Sequence, residues 1–386
     1  MRRDRARIIV LGYLIRGPYG GLAWHHLQYA MGFASLGHEV YFFEDSDDYP
    51  GCCNPLTGSI DCDPSYGLQF AADVFQSVGL DDKWAYYDAH ASCWHGPLGT
   101  RAKDLATSAD IVLNVSGVNP IRSWFENVPV RVLVDTDPAF TQIRHMTDPK
   151  AMSLALQHTE FFTFGENVFA PDCSIPADGF PWRPTRQPIA LDSWTVRPGT
   201  PEGRFTTVMQ WDSYAPRKYE GRSYGMKSAS FPPFLDLPQR TAATLELALG
   251  SETAPRDDLR QRGWLITDPT VVARDIWSYQ NYISSSVAEL SVAKHGYISS
   301  RSGWFSERSA AYLASGRPVV TQDTGFSTWL PTGLGVLQFA TPDEALEGIE
   351  DVLSRYGAHC LAARGIAEEF FDGRKVLAKL LKDIDA

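Results

Sequence analysis

The chain has 386 residues, 44% hydrophobic and 21% charged, with a formal net charge of −11. That length exceeds one ordinary hydrophobic core and suits two α/β domains. The acidic balance argues against a nucleic-acid binder, which needs basic surface to neutralise phosphates, and no apolar run reaches transmembrane length.

The start, MRRDRARIIVLGYLI, is basic and then apolar. Its apolar run is short, lacks a small-residue cleavage site and enters a glycine-rich loop, so it reads as a buried strand rather than a signal peptide. Further strand-like runs at 40–44, 111–116, 130–135 and 161–164 alternate with helical patterns, the first over 22–36. Buried runs separated by helices imply a parallel sheet covered on both faces. Between 171 and 201 periodicity stops, and seven prolines (Pro171, Pro176, Pro181, Pro184, Pro188, Pro198 and Pro201) mark a linker.

Alternation resumes with a strand at 205–211, a helix at 238–249, a strand at 263–267 and helices at 270–283 and 287–294. A strand at 297–300, a helix at 305–315 and a strand at 318–322 follow. Two helices over 342–356 and 358–371 precede an amphipathic stretch over 374–384. The expected division is a first domain over 1–190 with its linker about 171–203, a second over 204–370, and a C-terminal helix in 371–386 that packs back on the first. Two doubly wound halves bind ligands in their cleft, at the carboxyl ends of the strands. The six cysteines have no CxxC spacing and no framework, which fits reduced thiols in a cytoplasmic protein.

Three local patterns carry chemistry. Gly20-Gly21 open a helix after the first strand, where glycine admits close approach and free N–H groups attract an anion; a tight turn without a ligand fits the same residues. Ser302-Gly303-Trp304-Phe305-Ser306-Glu307-Arg308 leads through a helix to Ser315-Gly316-Arg317-Pro318-Val319-Val320, with Gly316 as C-cap. Ser306 and Arg308 flank an N-terminus that can face a diphosphate, and Glu307 can accept ribose hydroxyls. Arg222 and Lys227 offer cations in a loop rich in glycine and tyrosine, with Lys294 as a further candidate. Asp135 and Asp137 end a first-half strand, either orienting an acceptor hydroxyl, pairing with His25, or capping a helix from Pro138. Thr324 and Gly325 follow a second-half strand and are expected on the cleft.

Gly20-Gly21, His25 and Gly37-His38-Glu39-Val40 resemble the N-terminal motif of family-4-like glycosyltransferases, and the passage to Arg317-Pro318-Val319-Val320 resembles the nucleotide-sugar site of GT-B enzymes. The resemblance implies a GT-B fold: two Rossmann-like, doubly wound domains facing an interdomain cleft. It implies glycosyl transfer from a nucleoside diphosphate sugar to a small-molecule or glycan acceptor, with no other cofactor and no metal; the acidic balance adds the expectation of no nucleic acid. Donor contacts fall to Gly20, Gly21, Arg222, Lys227, Ser306, Glu307, Arg308, Thr324 and Gly325, and catalysis to His25 and Asp135. The family's paired glutamates are replaced by Gly303 and Ala311, leaving Glu307 between them. A GT-B nucleotide-sugar epimerase and a non-catalytic nucleotide-sugar-binding protein are the alternative readings. No G-x-G-x-x-G follows the first strand, and a Walker motif is absent from the sequence.

Overall fold

The computed structural model describes residues 5–197 and 199–385; residues 1–4 and 386, at the ends of the expected domains, and Pro198 of the expected linker lie outside the described residues. The first half forms an eight-stranded sheet. In spatial order its strands are Arg183–Pro184, Glu160–Thr163, Val130–Asp135, Ile111–Val115, Arg7–Leu11, Glu39–Asp45, Trp84–Asp88 and Cys93–His95. Every neighbour pairs in parallel except the last, where Cys93–His95 runs antiparallel to Trp84–Asp88. The second half forms a six-stranded, wholly parallel sheet in the order Leu265–Thr267, Thr244–Gly250, Arg204–Gln210, Ala288–Ser291, Val319–Gln322, Val336–Phe339. Taking the six main parallel strands of each half in chain order, both sheets read 3-2-1-4-5-6, the doubly wound topology.

Three segments of the second half differ from expectation. Residues 244–250 form a strand where the sequence pattern predicts a helix, and Leu245, Leu247 and Leu249 fill a core beneath the sheet while Glu246 and Ala248 are buried on its other face. Burial on both faces overrides the helix preference of a Leu-Glu-Ala sequence. Residues 288–291 are likewise a strand and not a helix, and 295–300 a short helix and not a strand. Ala288 pairs with Phe205 in the parallel ladder, so sheet pairing decides an ambiguous apolar run.

The proline-rich stretch is built into the molecule. Arg183–Pro184 is the edge strand of the first sheet, where a missing N–H is tolerated. Trp194 is wholly buried, with its ring 5.0 Å from that of Trp24 and its Nε1 donating to Gln28 Oε1 at 3.0 Å. The terminal helix Gly373–Ile384 packs on the first helix, Gly20–Ser35, so closely that a Cβ on Gly32 would lie 2.5 Å from Leu377 Cδ1. Gly373 N donates to Ile189 O and Ile189 N to Phe371 O, tying the chain end to the stretch that joins the sheets. Among the described residues no helix is long and apolar enough to cross a membrane.

Candidate functional site

The carboxyl ends of both sheets line one cleft of 490 Å3. The first half contributes Tyr13, His25 and His26, with Ser116, Thr136 and Asp137 just beyond two strand ends. The second half contributes Gln210, Lys227, Lys294, Tyr297, Trp304 and the Ser306–Arg308 corner. A larger depression of 580 Å3 lies beyond the strand Val336–Phe339, but Glu344, Glu347 and Asp351 line it and no basic residue does, so it does not suit a diphosphate.

The helix Glu307–Ala314 aims its N-terminus at the cleft because Ser306 stops it there. The Ser306 side chain accepts from Arg308 N at 3.2 Å, and Glu307 occupies the first turn with no hydrogen-bond partner for its carboxylate among the described residues. Arg308 turns inward. Its Nε donates to Glu289 Oε1 at 2.5 Å, Nη2 to Ser291 Oγ at 2.8 Å and Nη1 to Val208 O at 2.8 Å. With the Glu289 carboxylate against it, Arg308 ties the helix start to the sheet and commits three of its five N–H donors to the protein.

Lys227 is the opposite case. Its side chain is 8% exposed, lines the cleft and makes no ion pair or hydrogen bond among the described residues. Burial, and after it the charge of Arg308, lowers its pKa well below the ordinary lysine value. A lysine without a protein partner in the same cleft as a helix N-terminus can take up a proton and supply the counter-charge for a bound anion. Lys294 is already paired: Nζ lies 2.9 Å from Asp137 Oδ1 and 3.1 Å from Tyr214 OH, over the rings of Phe140, Tyr214 and Tyr297. Both tyrosine hydroxyls also donate to Asp137, which closes a network between the two sheets across the cleft.

Several expected site residues sit elsewhere. Gly20 and Gly21 admit protein rather than phosphate. A Cβ on Gly20 would lie 2.1 Å from Asp275 O and one on Gly21 would lie 3.2 Å from the Tyr279 ring, while Gly20 N already donates to Ala273 O at 2.7 Å. Replacing Gly20 by alanine is therefore expected to destabilise the protein by about 1–3 kcal/mol through backbone overpacking, read by thermal or urea unfolding. Arg222 lies on the Arg217–Tyr219/Arg222–Tyr224 hairpin, beside a separate depression with Glu220 and Pro176. The Thr324–Gly325 turn is held by Asn167, whose Nδ2 donates to Gly325 O at 2.9 Å, and Thr324 Oγ1 donates to Trp304 O.

Asp135 neither lines the cleft nor pairs with His25. It is 1% exposed, accepts from Gln142 Nε2 at 3.0 Å, Thr163 Oγ1 at 2.7 Å and Asp137 N at 2.8 Å, and burial pushes its pKa up. It fixes the turn that delivers Asp137 to the cleft. Asp137 caps no helix, because the next one starts at Phe140 behind Ala139.

His25 does line the cleft. Burial holds its pKa down to about 4, so the ring is neutral at physiological pH, with Nε2 3.5 Å from Ser116 Oγ. Ser116, at φ 62, is a non-glycine residue in left-handed backbone at a strand end, and its hydroxyl meets Thr136 Oγ1 at 2.7 Å. Its place on the cleft in left-handed backbone is something the sequence pattern does not reveal.

The loop after the first strand encloses an anion of the protein's own. Backbone N–H groups of Leu14, Ile15 and Arg16 converge on the Glu44 carboxylate at 2.7, 2.7 and 2.8 Å. That cradle is the place where a doubly wound domain receives a phosphate. Here Glu44 fills it, so the first half has no vacant phosphate cradle at this loop.

No protein-family model matches the chain, and no curated protein matches it. Solved structures do. The alpha-glucosyltransferase in complex with UDP is 12% identical, with a TM-score of 0.59 over 99% of this chain and 100% of that one. The Anabaena protein Alr3699/HepE in complex with UDP and glucose is 11% identical, with a TM-score of 0.58 over 99% and 100%. AviGT4, a glycosyltransferase involved in Avilamycin A biosynthesis, is 11% identical, with a TM-score of 0.53 over 98% and 96%. The alpha-glucosyltransferase is also seen with 13-mer DNA containing an HMU base, which corrects the exclusion of nucleic acid drawn from net charge. Net charge sums the whole surface, whereas phosphate contacts need only a local basic area. At these identities the likeness speaks for architecture, and the architecture of this chain is the GT-B fold of two Rossmann-like domains.

Proposed function

We propose that this chain transfers a glycosyl group from a nucleoside diphosphate sugar to an acceptor across the cleft. The observation that carries this reading is that the buried Lys227 side chain, without a partner among the described residues, shares the cleft of a GT-B fold with the helix N-terminus at Ser306–Glu307. In the transfer the bond from the anomeric carbon to the diphosphate breaks, and a bond to the acceptor oxygen forms. Negative charge grows on the departing phosphate, and Lys227 with the helix N–H groups offsets it without reorganisation. This supply of positive charge also underlies the proposal that no divalent ion is required.

Glu307 takes the donor's hydroxyls, and Asp137, poised by Lys294 and two tyrosines, faces the acceptor side. His25 is a weak base when held near 4, so it serves as a neutral hydrogen-bonding group and the acceptor proton passes to the departing phosphate. This route goes with retention of configuration, read from the product anomer by NMR.

Thermal stabilisation by uridine, guanosine and thymidine diphosphates, with and without chelator, tests the donor site. One diphosphate is expected to raise Tm independently of metal; no shift with any of them would overturn the reading. Glu307→Ala is expected to weaken donor binding roughly ten- to a hundredfold, the worth of about 1.5–3 kcal/mol for hydrogen bonds to a charged group, measured by calorimetry. Its Tm should change little, because the carboxylate makes no hydrogen bond or ion pair among the described residues. An acceptor screen includes DNA alongside glycans and small molecules.

A further inference from the structure

A second cluster of reactive side chains lies away from the cleft, at the outer edge of the first sheet. The edge strand Cys93–His95 pairs antiparallel with Trp84–Asp88, setting Cys93 opposite Asp88 and His95 opposite Tyr86. Side chains two apart on a strand share a face, so Cys93, His95 and the cross-strand Asp88 converge. One ligating atom from each lies within 4.8 Å of the others, and Cys93 Sγ is 3.3 Å from His95 Nε2.

We infer that these three residues bind a transition-metal ion of the zinc type. Zinc bonds sulfur at about 2.3 Å and imidazole nitrogen at about 2.0–2.1 Å, which in a tetrahedron sets the two ligands about 3.5 Å apart. The observed sulfur–nitrogen spacing is close to that edge. Asp88 is already oriented as a ligand. Its Oδ1 accepts from His90 N at 2.9 Å and Ala91 N at 3.1 Å, which fixes the carboxylate and leaves its other oxygen unpartnered among the described residues. The His95 ring lies against Tyr86, centroids 6.3 Å apart. A thiolate with an imidazole favours zinc or cobalt over magnesium and calcium, which prefer all-oxygen sets. Cys93 and His95 are half-buried, so an ion can enter, and three protein ligands leave a fourth position for water.

The ion would clip the antiparallel edge strand in place. That strand carries Trp94, whose ring packs 5.1 Å from Tyr87 and 5.3 Å from Trp124, so the clip also holds the aromatic edge of the domain. None of the three ligands lines the cleft.

The test uses the full chain, reduced, chelator-stripped and titrated with cobalt(II). Wild type is expected to bind one cobalt with a near-ultraviolet thiolate charge-transfer band and the strong visible bands of four-coordinate cobalt, both displaced by zinc. Cys93→Ser should lose the charge-transfer band, and His95→Gln should weaken binding at least about tenfold. Cys52→Ser and Cys62→Ser should leave the spectrum unchanged. Absence of the band in wild type, its persistence in Cys93→Ser, or undiminished affinity in His95→Gln overturns the site. If Cys93→Ser does not fold, judged by near-ultraviolet circular dichroism, the half-buried His95→Gln decides alone.

Discussion

Lys227→Met is expected to raise thermal stability while weakening diphosphate binding roughly ten- to a hundredfold, the worth of about 1.5–3 kcal/mol for a charge-assisted contact. The two effects have opposite sign because one property causes both. Burial disfavours the ammonium, and Arg308 repels it, so its folded-state pKa lies well below the unfolded value. Between those two values the unfolded chain holds a proton that the folded chain lacks, so stability rises with pH across that window. Below the folded pKa the buried charge is present at full cost. Methionine fills similar space without charge, so its gain in Tm should be largest at the acid end and vanish as pH passes the unfolded value.

Binding runs the other way. A diphosphate beside Lys227 restores the ammonium and takes up a proton, so wild-type affinity should fall as pH rises above the free-state pKa. The methionine variant should lose that dependence. Calorimetry in buffers of different ionisation enthalpy reads the proton uptake directly. A variant that lost stability, or that kept diphosphate affinity, would remove Lys227 from the donor site.

The contrast between Lys227 and its neighbours shows which parts of the site a sequence can display. Ser306-Glu307-Arg308 and the Ser315-Gly316-Arg317-Pro318 passage are local signals, because a cap, a helix start and a helix stop are written in adjacent residues. The alternation of strand and helix is legible for the same reason, and with it the carboxyl-end cleft that holds Lys227, His25, Ser306, Glu307 and Arg308. What each of those side chains touches is not legible. Arg308 faces inward because Glu289 waits on a strand that periodicity reads as a helix. Gly20 and Gly21 have a spacing that suits phosphate, yet their space is taken by Asp275 and Tyr279, more than 250 residues away in sequence. Asp135 and Asp137 differ by two positions, and only the turn between them decides which is buried and which meets the cleft. The Asp88, Cys93 and His95 cluster depends on a hairpin register that residue spacing cannot specify.

The same long-range logic makes Glu44 a costly side chain to remove. It is 1% exposed, lies near the end of the strand Glu39–Asp45, accepts three backbone N–H bonds and sits beside Arg16, whose Nε is 3.4 Å from Oε1. Arg16 is itself fully buried, held by Val118 O at 2.7 Å and stacked over Tyr13. Glu44→Ala therefore strands a buried guanidinium and three amides at once. Breaking such a pair from one side typically costs about 3–5 kcal/mol, measured as a fall in the urea midpoint with little change in slope. The vacated cradle has the donors of a phosphate site, with three convergent N–H groups and a cation. Phosphate or sulfate should therefore recover part of the lost stability in Glu44→Ala, beyond the general salting effect measured in wild type. Equal stabilisation of both proteins by these anions would mean that the loop collapses once its carboxylate is gone, and that the cradle owes its shape to Glu44. Selective rescue would mean that the loop is a preformed phosphate cradle, closed in this chain by an internal carboxylate, and that donor phosphate is left to the second domain.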